Sequence, residues 1–259
     1  MSPSNAGTNA RERVFFSAAD AGATPYDPGL PDPHFPVAGL VGPEATAPPG
    51  DWTVEELEPR HWYERTKRLT DIALSLIALP VALPVIAACA ALVWIESPGA
   101  PLFRQQRTGR GGRRFAMFKI RTMVANAEQL KVEYQHLNEL SWPDFKIAND
   151  PRITRIGRVL RATSLDELPQ IFNVLLGDMS WVGPRPTSFS ADTYQPWHRG
   201  RLAVQPGITG LWQIRGRSDI DFDERVRLDL EYIRRRGFWF DWAILFATVF
   251  AVLRRRGAR

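Results

Sequence analysis

The stretch Ile72-Ala73-Leu74-Ser75-Leu76-Ile77-Ala78-Leu79-Pro80-Val81-Ala82-Leu83-Pro84-Val85-Ile86-Ala87-Ala88-Cys89-Ala90-Ala91-Leu92-Val93-Trp94-Ile95 contains no charged residue. At about 1.5 Å per residue, a helix of that length reaches about 36 Å, against roughly 30 Å for a bilayer's hydrocarbon core. Pro80 and Pro84 stand in its middle. Each lacks the N–H that a helix needs, and its ring crowds the preceding turn, so a break near Pro84 is expected. Cations crowd both flanks: Arg60, Arg65, Lys67 and Arg68 before, then Arg104, Arg107, Arg110, Arg113 and Arg114 after. A single crossing would put one cluster on the non-cytoplasmic side, against the positive-inside bias. The segment therefore reads as a re-entrant helix-break-helix with both ends on the cytoplasmic face. A plain transmembrane helix is the second reading, and the length and purity of the run disfavour a buried core helix.

Working outward, residues 1–60 form a Pro-rich leader without a sustained apolar period, a composition expected to stay disordered. Its start has no basic region followed by an apolar one, so no signal peptide is expected. The 259 residues carry a formal net charge of +5, which suits an anionic partner: nucleic acid, a phospholipid surface or a phosphorylated substrate. Cys89 is the single cysteine, so no internal disulfide can form. Residues 61–102 make a basic entry and the membrane segment, and 103–259 a catalytic region. Within the latter, the Arg- and Gly-rich run Phe103–Met123 suits a small β-hairpin. Helical spacing of Ala127, Leu130, Tyr134 and Leu137 predicts an amphipathic helix, as does that of Leu168, Ile171, Phe172 and Leu175, with Gly177 as a stop. Phe238–Leu253 is apolar apart from Asp241, and its arginine flanks suit a helix lying in the membrane interface.

Asp166 and Glu167 are adjacent carboxylates at a predicted helix start, with Arg152, Arg155, Arg158 and Arg161 just upstream. Acid beside base on this scale suits phosphoryl chemistry. The plain alternative is helix capping, since Ser164 and Glu167 have capping-box spacing. Pro169 fits better if Asp166 is the cap, because the third helical N–H is free in any case. Asp166 is thus expected at the helix mouth.

In chain order the sequence has Lys67-Arg68-x-x-Asp71, Phe118-Lys119-Ile120-Arg121-Thr122-Met123 and Asn149-Asp150-Pro151-Arg152-Ile153-Thr154-Arg155-Ile156-Gly157-Arg158. Arg161-x-x-Ser164-Leu165-Asp166-Glu167-Leu168-Pro169-Gln170 and Gly177-Asp178-Met179-Ser180-x-Val182-Gly183-Pro184-Arg185-Pro186 follow. Pro206-Gly207-Ile208-Thr209-Gly210-Leu211-Trp212-Gln213 and Leu228-Asp229-x-x-Tyr232 close the series. Over roughly residues 65 to 257 this closely resembles the monotopic phosphoglycosyl transferases, the bacterial sugar transferase family. In well-known members the membrane break is a Ser-Pro pair; here Leu83 precedes Pro84, and Pro80 is an additional breaker.

The resemblance implies a mostly helical α+β enzyme of the bacterial cytoplasmic membrane, its active site on the cytoplasmic face. Its partners would be a nucleoside diphosphate sugar, normally a UDP-sugar, polyprenyl (undecaprenyl) phosphate and membrane lipids. Sugar 1-phosphate would pass to the lipid, with release of UMP, to begin an exopolysaccharide, capsule or O-antigen. By analogy Asp166 is the nucleophile, forming an aspartyl phosphosugar. Glu167 assists by acid–base chemistry or by helping Asp166 hold Mg²⁺. Arg161 and Arg185 would grip phosphate, and Lys119, Arg121 and Asp229 would line the substrate site. A catalytically idle membrane scaffold is the alternative. Nucleic-acid binding, with Trp181, Trp197 and Trp212 as stacking platforms, is disfavoured by the long apolar segment.

Overall fold

The computed structural model describes residues 60–130, 132–138, 147, 149–215 and 221–253. The leader up to residue 59 and the basic tail from Arg254 lie outside the described residues. The described chain is mostly helical, with one small antiparallel hairpin and one long apolar helix.

That helix, α1 (His61–Glu96), is among the described residues the one long and apolar enough to cross a membrane. It runs through Pro80 and Pro84 without the interruption expected near Pro84. Two hydrogen bonds are forgone, to the carbonyls of Leu76 and Pro80. The four-residue spacing puts both gaps on one side of the helix, and side-chain packing holds the rest of the turn together. Buried Asp71, Ser75, Ala82, Ile86, Cys89 and Val93 recur at intervals of three, four or their sum, seven, so a single stripe of α1 faces the protein. Ala82 and Ile86 pack on Ile171, while Cys89 and Val93 pack on Ile120 and Leu160. The opposite face exposes Leu69, Leu76, Ile77, Val81, Leu92 and Ile95.

The expected hairpin forms from β1 (Leu102–Thr108) and β2 (Arg114–Ile120), antiparallel with Phe103 opposite Lys119 and Arg107 opposite Phe115. The helix predicted from Ala127 to Leu137 is realised more briefly, as α2 (Ala127–Leu130) and a separate 3-10 turn at Gln135–Leu137. Next comes α3 (Arg155–Thr163), capped by the Thr154 hydroxyl accepting from Gly157 N–H at 2.9 Å. A Cβ on Gly157 would fall 2.0 Å from the Thr122 carbonyl oxygen, so only glycine allows α3 to approach the β2 exit this closely.

The helix read from Leu168 to Leu175 is α4 (Gln170–Leu176), ended by Gly177 in the left-handed region (φ 85°). Its start differs from the expectation. Leu165–Glu167 form a 3-10 turn after a left-handed Ser164 (φ 57°), and Pro169 occupies the N-cap of α4. Asp166 therefore lies inside the turn and caps nothing, because i-to-i−3 bonds such as Glu167 N–H to the Ser164 carbonyl already serve the local amides.

A second body is built on a parallel pair, β3 (Ser180–Val182) and β4 (Gly207–Thr209), followed by α5 (Leu211–Arg215), α6 (Phe222–Arg235) and α7 (Phe238–Leu253). Its core gathers Val182, Leu211, Val226, Leu230, Ile233 and Ile244. Asp241, the single charge of α7, is buried. It accepts from the Tyr63 hydroxyl (2.8 Å), Lys67 Nζ (2.7 Å) and the Tyr232 hydroxyl (2.8 Å), fixing α7 to α1 and α6.

Among the described residues β2 has one strand neighbour, and fully buried Asn173 of α4 completes its other edge. Its Oδ1 accepts from Phe118 N–H (2.9 Å) and its Nδ2 donates to the Ala116 carbonyl (2.8 Å). Asn173→Ala is expected to cost about 2–4 kcal/mol, since two backbone groups lose their partners in the interior. Unfolding curves in detergent check this, and stability equal to wild type would show that the edge is satisfied some other way.

Candidate active site

Three segments distant in sequence converge at Glu167. The 3-10 turn presents its carboxylate, β2 sends Lys119, and the Pro184-Arg185-Pro186 turn sends Arg185. Lys119 Nζ donates to Glu167 Oε1 at 2.8 Å. Arg185 grips the same carboxylate with both terminal nitrogens, Nη1 to Oε2 at 3.1 Å and Nη2 to Oε1. Such a fork fixes direction as well as charge, and the flanking prolines stiffen its backbone. Lys119 and Glu167 are largely shielded from solvent.

Burial alone would raise the Glu167 pKa, but Arg185 and Lys119 in contact overcome this and hold it far below the usual carboxylate range. Neighbouring Asp166, 7% exposed, moves the other way. Burial raises its pKa, assisted by Glu167, and Lys119, Arg161 and Arg185 only partly offset it, as charges without a hydrogen bond to it. Coulomb energy falls with distance, so contact decides the sign: paired Glu167 is firmly ionised, while Asp166 is a carboxylate without a committed partner. Burial lowers the Lys119 pKa, and Glu167 pulls it back up.

The other expected site residues divide. Arg161 stands near Asp166, its Nε donating to the Thr122 hydroxyl at 2.9 Å and its pKa lowered by burial against the pull of Asp166. Arg121 turns away, donating to the Ser97 and Pro98 carbonyls at the end of α1. Asp229 is 1% exposed and acts from behind: it pairs with Arg201 at 2.6 Å, and Arg201 donates to the Arg185 carbonyl at 2.8 Å. Burial pushes the Asp229 carboxyl up to about 6 despite Arg201.

Sequence reading missed Arg201 and Arg107. Arg107 leaves β1 to donate to the Pro186 carbonyl (3.2 Å), next to Arg185. A signal for it existed: strand alternation over 103, 105 and 107, combined with the hairpin register, puts Arg107 on the face that carries Lys119. Nothing comparable marks Arg201, whose role depends on a tertiary contact.

The opposite shifts give opposite stability effects. Asp166 has a folded pKa above its unfolded value, so its ionised form destabilises the fold above that pKa, and acidification relieves it. Glu167 has a lowered pKa, so its contribution is full above the unfolded value and fades only in strong acid. Asp166→Asn should therefore raise the melting temperature at neutral pH. Glu167→Gln should lower it, with a loss of about 3 kcal/mol from stranding two cations. Thermal melts of both variants test this, and a shift of the same sign in both would refute the division.

The bacterial sugar transferase family model matches residues 62–255. The undecaprenyl-phosphate galactose phosphotransferase of Salmonella typhimurium is 44% identical over 200 residues, covering 74% of this chain and 41% of that protein. This chain thus spans less than half the length of that relative. The exopolysaccharide production protein ExoY of Rhizobium meliloti is 36% identical over 197 residues, covering 74% of this chain and 87% of its own. The UDP-glucose:undecaprenyl-phosphate glucose-1-phosphate transferase of Caulobacter vibrioides is 39% identical over 206 residues, covering 75% and 72%. With the motifs of Asp166, Glu167 and Arg185 inside the matched region, the chain belongs to the bacterial sugar transferase family.

Proposed function

We propose that the protein transfers a sugar 1-phosphate from a UDP-sugar to undecaprenyl phosphate, beginning a lipid-linked exopolysaccharide, capsule or O-antigen. The observation that carries this reading is an uncommitted buried carboxylate, Asp166, beside a carboxylate held ionised by two cations, Lys119 and Arg185. The names of the Salmonella and Caulobacter relatives support the acceptor and the donor class.

In the proposed first step an Asp166 oxygen attacks the sugar-bearing phosphorus. The bond to the leaving phosphate breaks and UMP departs, leaving an aspartyl phosphosugar. In the second, an oxygen of the lipid phosphate attacks that phosphorus, the bond to Asp166 breaks, and the carboxylate returns. Arg161, through its terminal nitrogens, and Arg185, through the N–H groups not spent on Glu167, donate to phosphate oxygens. Glu167, with both oxygens engaged and its pKa far down, is suited to holding Lys119 and Arg185 in place rather than to moving a proton.

Mg²⁺ fits this donor set through Asp166. Among the described residues no three His, Cys, Asp or Glu side chains cluster as a metal cage. A cation that keeps waters and shares one carboxylate with substrate phosphates matches that arrangement. When bound it would lessen repulsion between the anions and stabilise the leaving phosphate. Engagement with Lys119 and Arg185 makes Glu167 the weaker ligand.

For the membrane, the reading is that α1 stays in the cytoplasmic leaflet with both ends on that face, bent at Pro80 and Pro84 while its helix remains continuous, with α7 in the interface. Both ends of α1 are tied to the same catalytic body: Arg68 donates to the Leu175 carbonyl (2.8 Å), and Glu96 accepts from Arg155 and Ile156 N–H (2.9 and 3.0 Å). Crossing the bilayer would drag α3 or α4 through it. The exposed apolar side of α1, with Trp239, Phe246 and Val249 of α7, supplies the lipid-facing surface.

Two experiments test the proposal. Purified protein with undecaprenyl phosphate, Mg²⁺ and single UDP-sugars should release UMP with one donor, and Asp166→Asn should lose it by at least about 10³-fold. Turnover surviving in that variant would exclude the covalent route. Cysteines placed at His61 and Arg104 in a Cys89→Ser background should both resist an impermeant label in intact cells. Labelling of one alone would mean a crossing.

A further inference from the structure

Five arginines follow the apolar segment, and four are accounted for locally. Arg104 lies over the Phe118 ring (5.6 Å), Arg110 pairs with Glu64 (3.9 Å), and Arg113 pairs with Asp178 (2.6 Å). Arg114 donates to the Thr108 hydroxyl and to the Ser188 carbonyl. Arg107 differs. Register and alternation put it on the Lys119 face of the hairpin, the face that buries Phe115 and Met117. Its Nε and Nη2 donate to Gln105 Oε1 (3.1 and 2.5 Å) and its Nη1 to the Pro186 carbonyl (3.2 Å). A guanidinium has five N–H groups, so two remain.

Its electrostatic setting is unfavourable as it stands. Burial first, and Arg185 second, lower the Arg107 pKa to about 10 against the opposing pull of Glu167. It is still a cation at neutral pH, yet Glu167, the carboxylate nearest in influence, is already shared by Lys119 and Arg185. Among the described residues, Arg107, Lys119, Arg161 and Arg185 gather around Asp166 and Glu167, Asp150 also acts on Arg161 but is paired with Arg152, and the excess is positive. Holding a guanidinium rigidly beside another costs stability unless an anion joins them. An anion with oxygens enough for the remaining N–H groups of both guanidiniums is a diphosphate.

We propose that Arg107 is a second phosphate-binding residue of the site, gripping the donor's diphosphate together with Arg185 across the Pro184–Pro186 turn. The ligand identity rests on the transferase reading above; the binding of phosphate does not. Gln105 and the Pro186 carbonyl aim the guanidinium, so the fork is set before ligand arrives.

The test uses the full chain in detergent, with inorganic pyrophosphate as probe and Arg107→Met, Arg107→Lys and Arg185→Met as variants. Pyrophosphate should raise the melting temperature of wild type, and Arg107→Met should lose most of that rise while its ligand-free melting temperature stays near wild type. In turnover, Arg107→Met should raise the KM for the UDP-sugar about tenfold or more with a smaller change in kcat. Arg107→Lys should recover part of the KM. A wild-type pyrophosphate response and KM in Arg107→Met would overturn the proposal. So would lowered ligand-free stability with the pyrophosphate response intact, which would make Arg107 structural. If the wild-type chain releases UMP from no donor, the transferase reading fails, and the pyrophosphate arm still decides whether Arg107 holds phosphate.

Discussion

A single carboxylate, Glu167, accepting from Lys119 and Arg185 at once, is the constraint on which the site depends. It joins the hairpin, the 3-10 turn and the Gly183–Pro186 turn, which share no backbone ladder at that point. Without it, two cations would face each other in a shielded cleft, at a cost that low polarity magnifies. Partners farther back extend the same arrangement: Arg201, anchored by Asp229, fixes the Arg185 carbonyl, and Gly157 lets α3 come close enough for Arg161 to reach Thr122. Two adjacent acids under similar burial thereby acquire different chemistry. Contact with cations makes Glu167 a fixed counter-ion, and the lack of it leaves Asp166 without a committed partner.

Much of this was legible in the sequence wherever one segment decides its own structure. The spacing of Leu168, Ile171, Phe172 and Leu175 with Gly177 after them gave α4, the apolar run after Arg236 gave α7, and short apolar pieces around a Gly-rich turn gave the hairpin. Legibility ended where the answer depends on a distant partner. Pro80 and Pro84 argued for a break because local hydrogen bonding is all that a sequence window contains, whereas packing against Ile171 keeps α1 continuous. Asp166 suited a cap by spacing, yet i-to-i−3 bonding had already used the amides. Arg121 lies in the same motif as Lys119 but serves the α1–β1 connection, because β2 ends at Ile120 and strand alternation no longer directs the next residue.

The basic flanks show how charge is reused. Read along the chain they resemble a topological signal to the membrane, and in space several are structural donors. Arg68 satisfies carbonyls at the C-terminal end of α4, where a cation also meets the negative end of the helix dipole. Lys67 neutralises Asp241, and Arg60 reaches carbonyls at the end of α6. A substitution that shifts orientation in the bilayer at these positions would therefore also disturb the fold, and the two effects share one side chain.

The stripe of α1 that faces inward has a practical corollary. Cys89 and Val93 complete one core with Ile120 and Leu160, and Ala82 and Ile86 complete another with Ile171. The hydrophobic segment is thus a part of two cores and no detachable anchor. A fragment beginning at β1 would open both cores and strip α3 and α4 of partners at their ends, so α1 belongs to the folded body whatever surrounds its outer face.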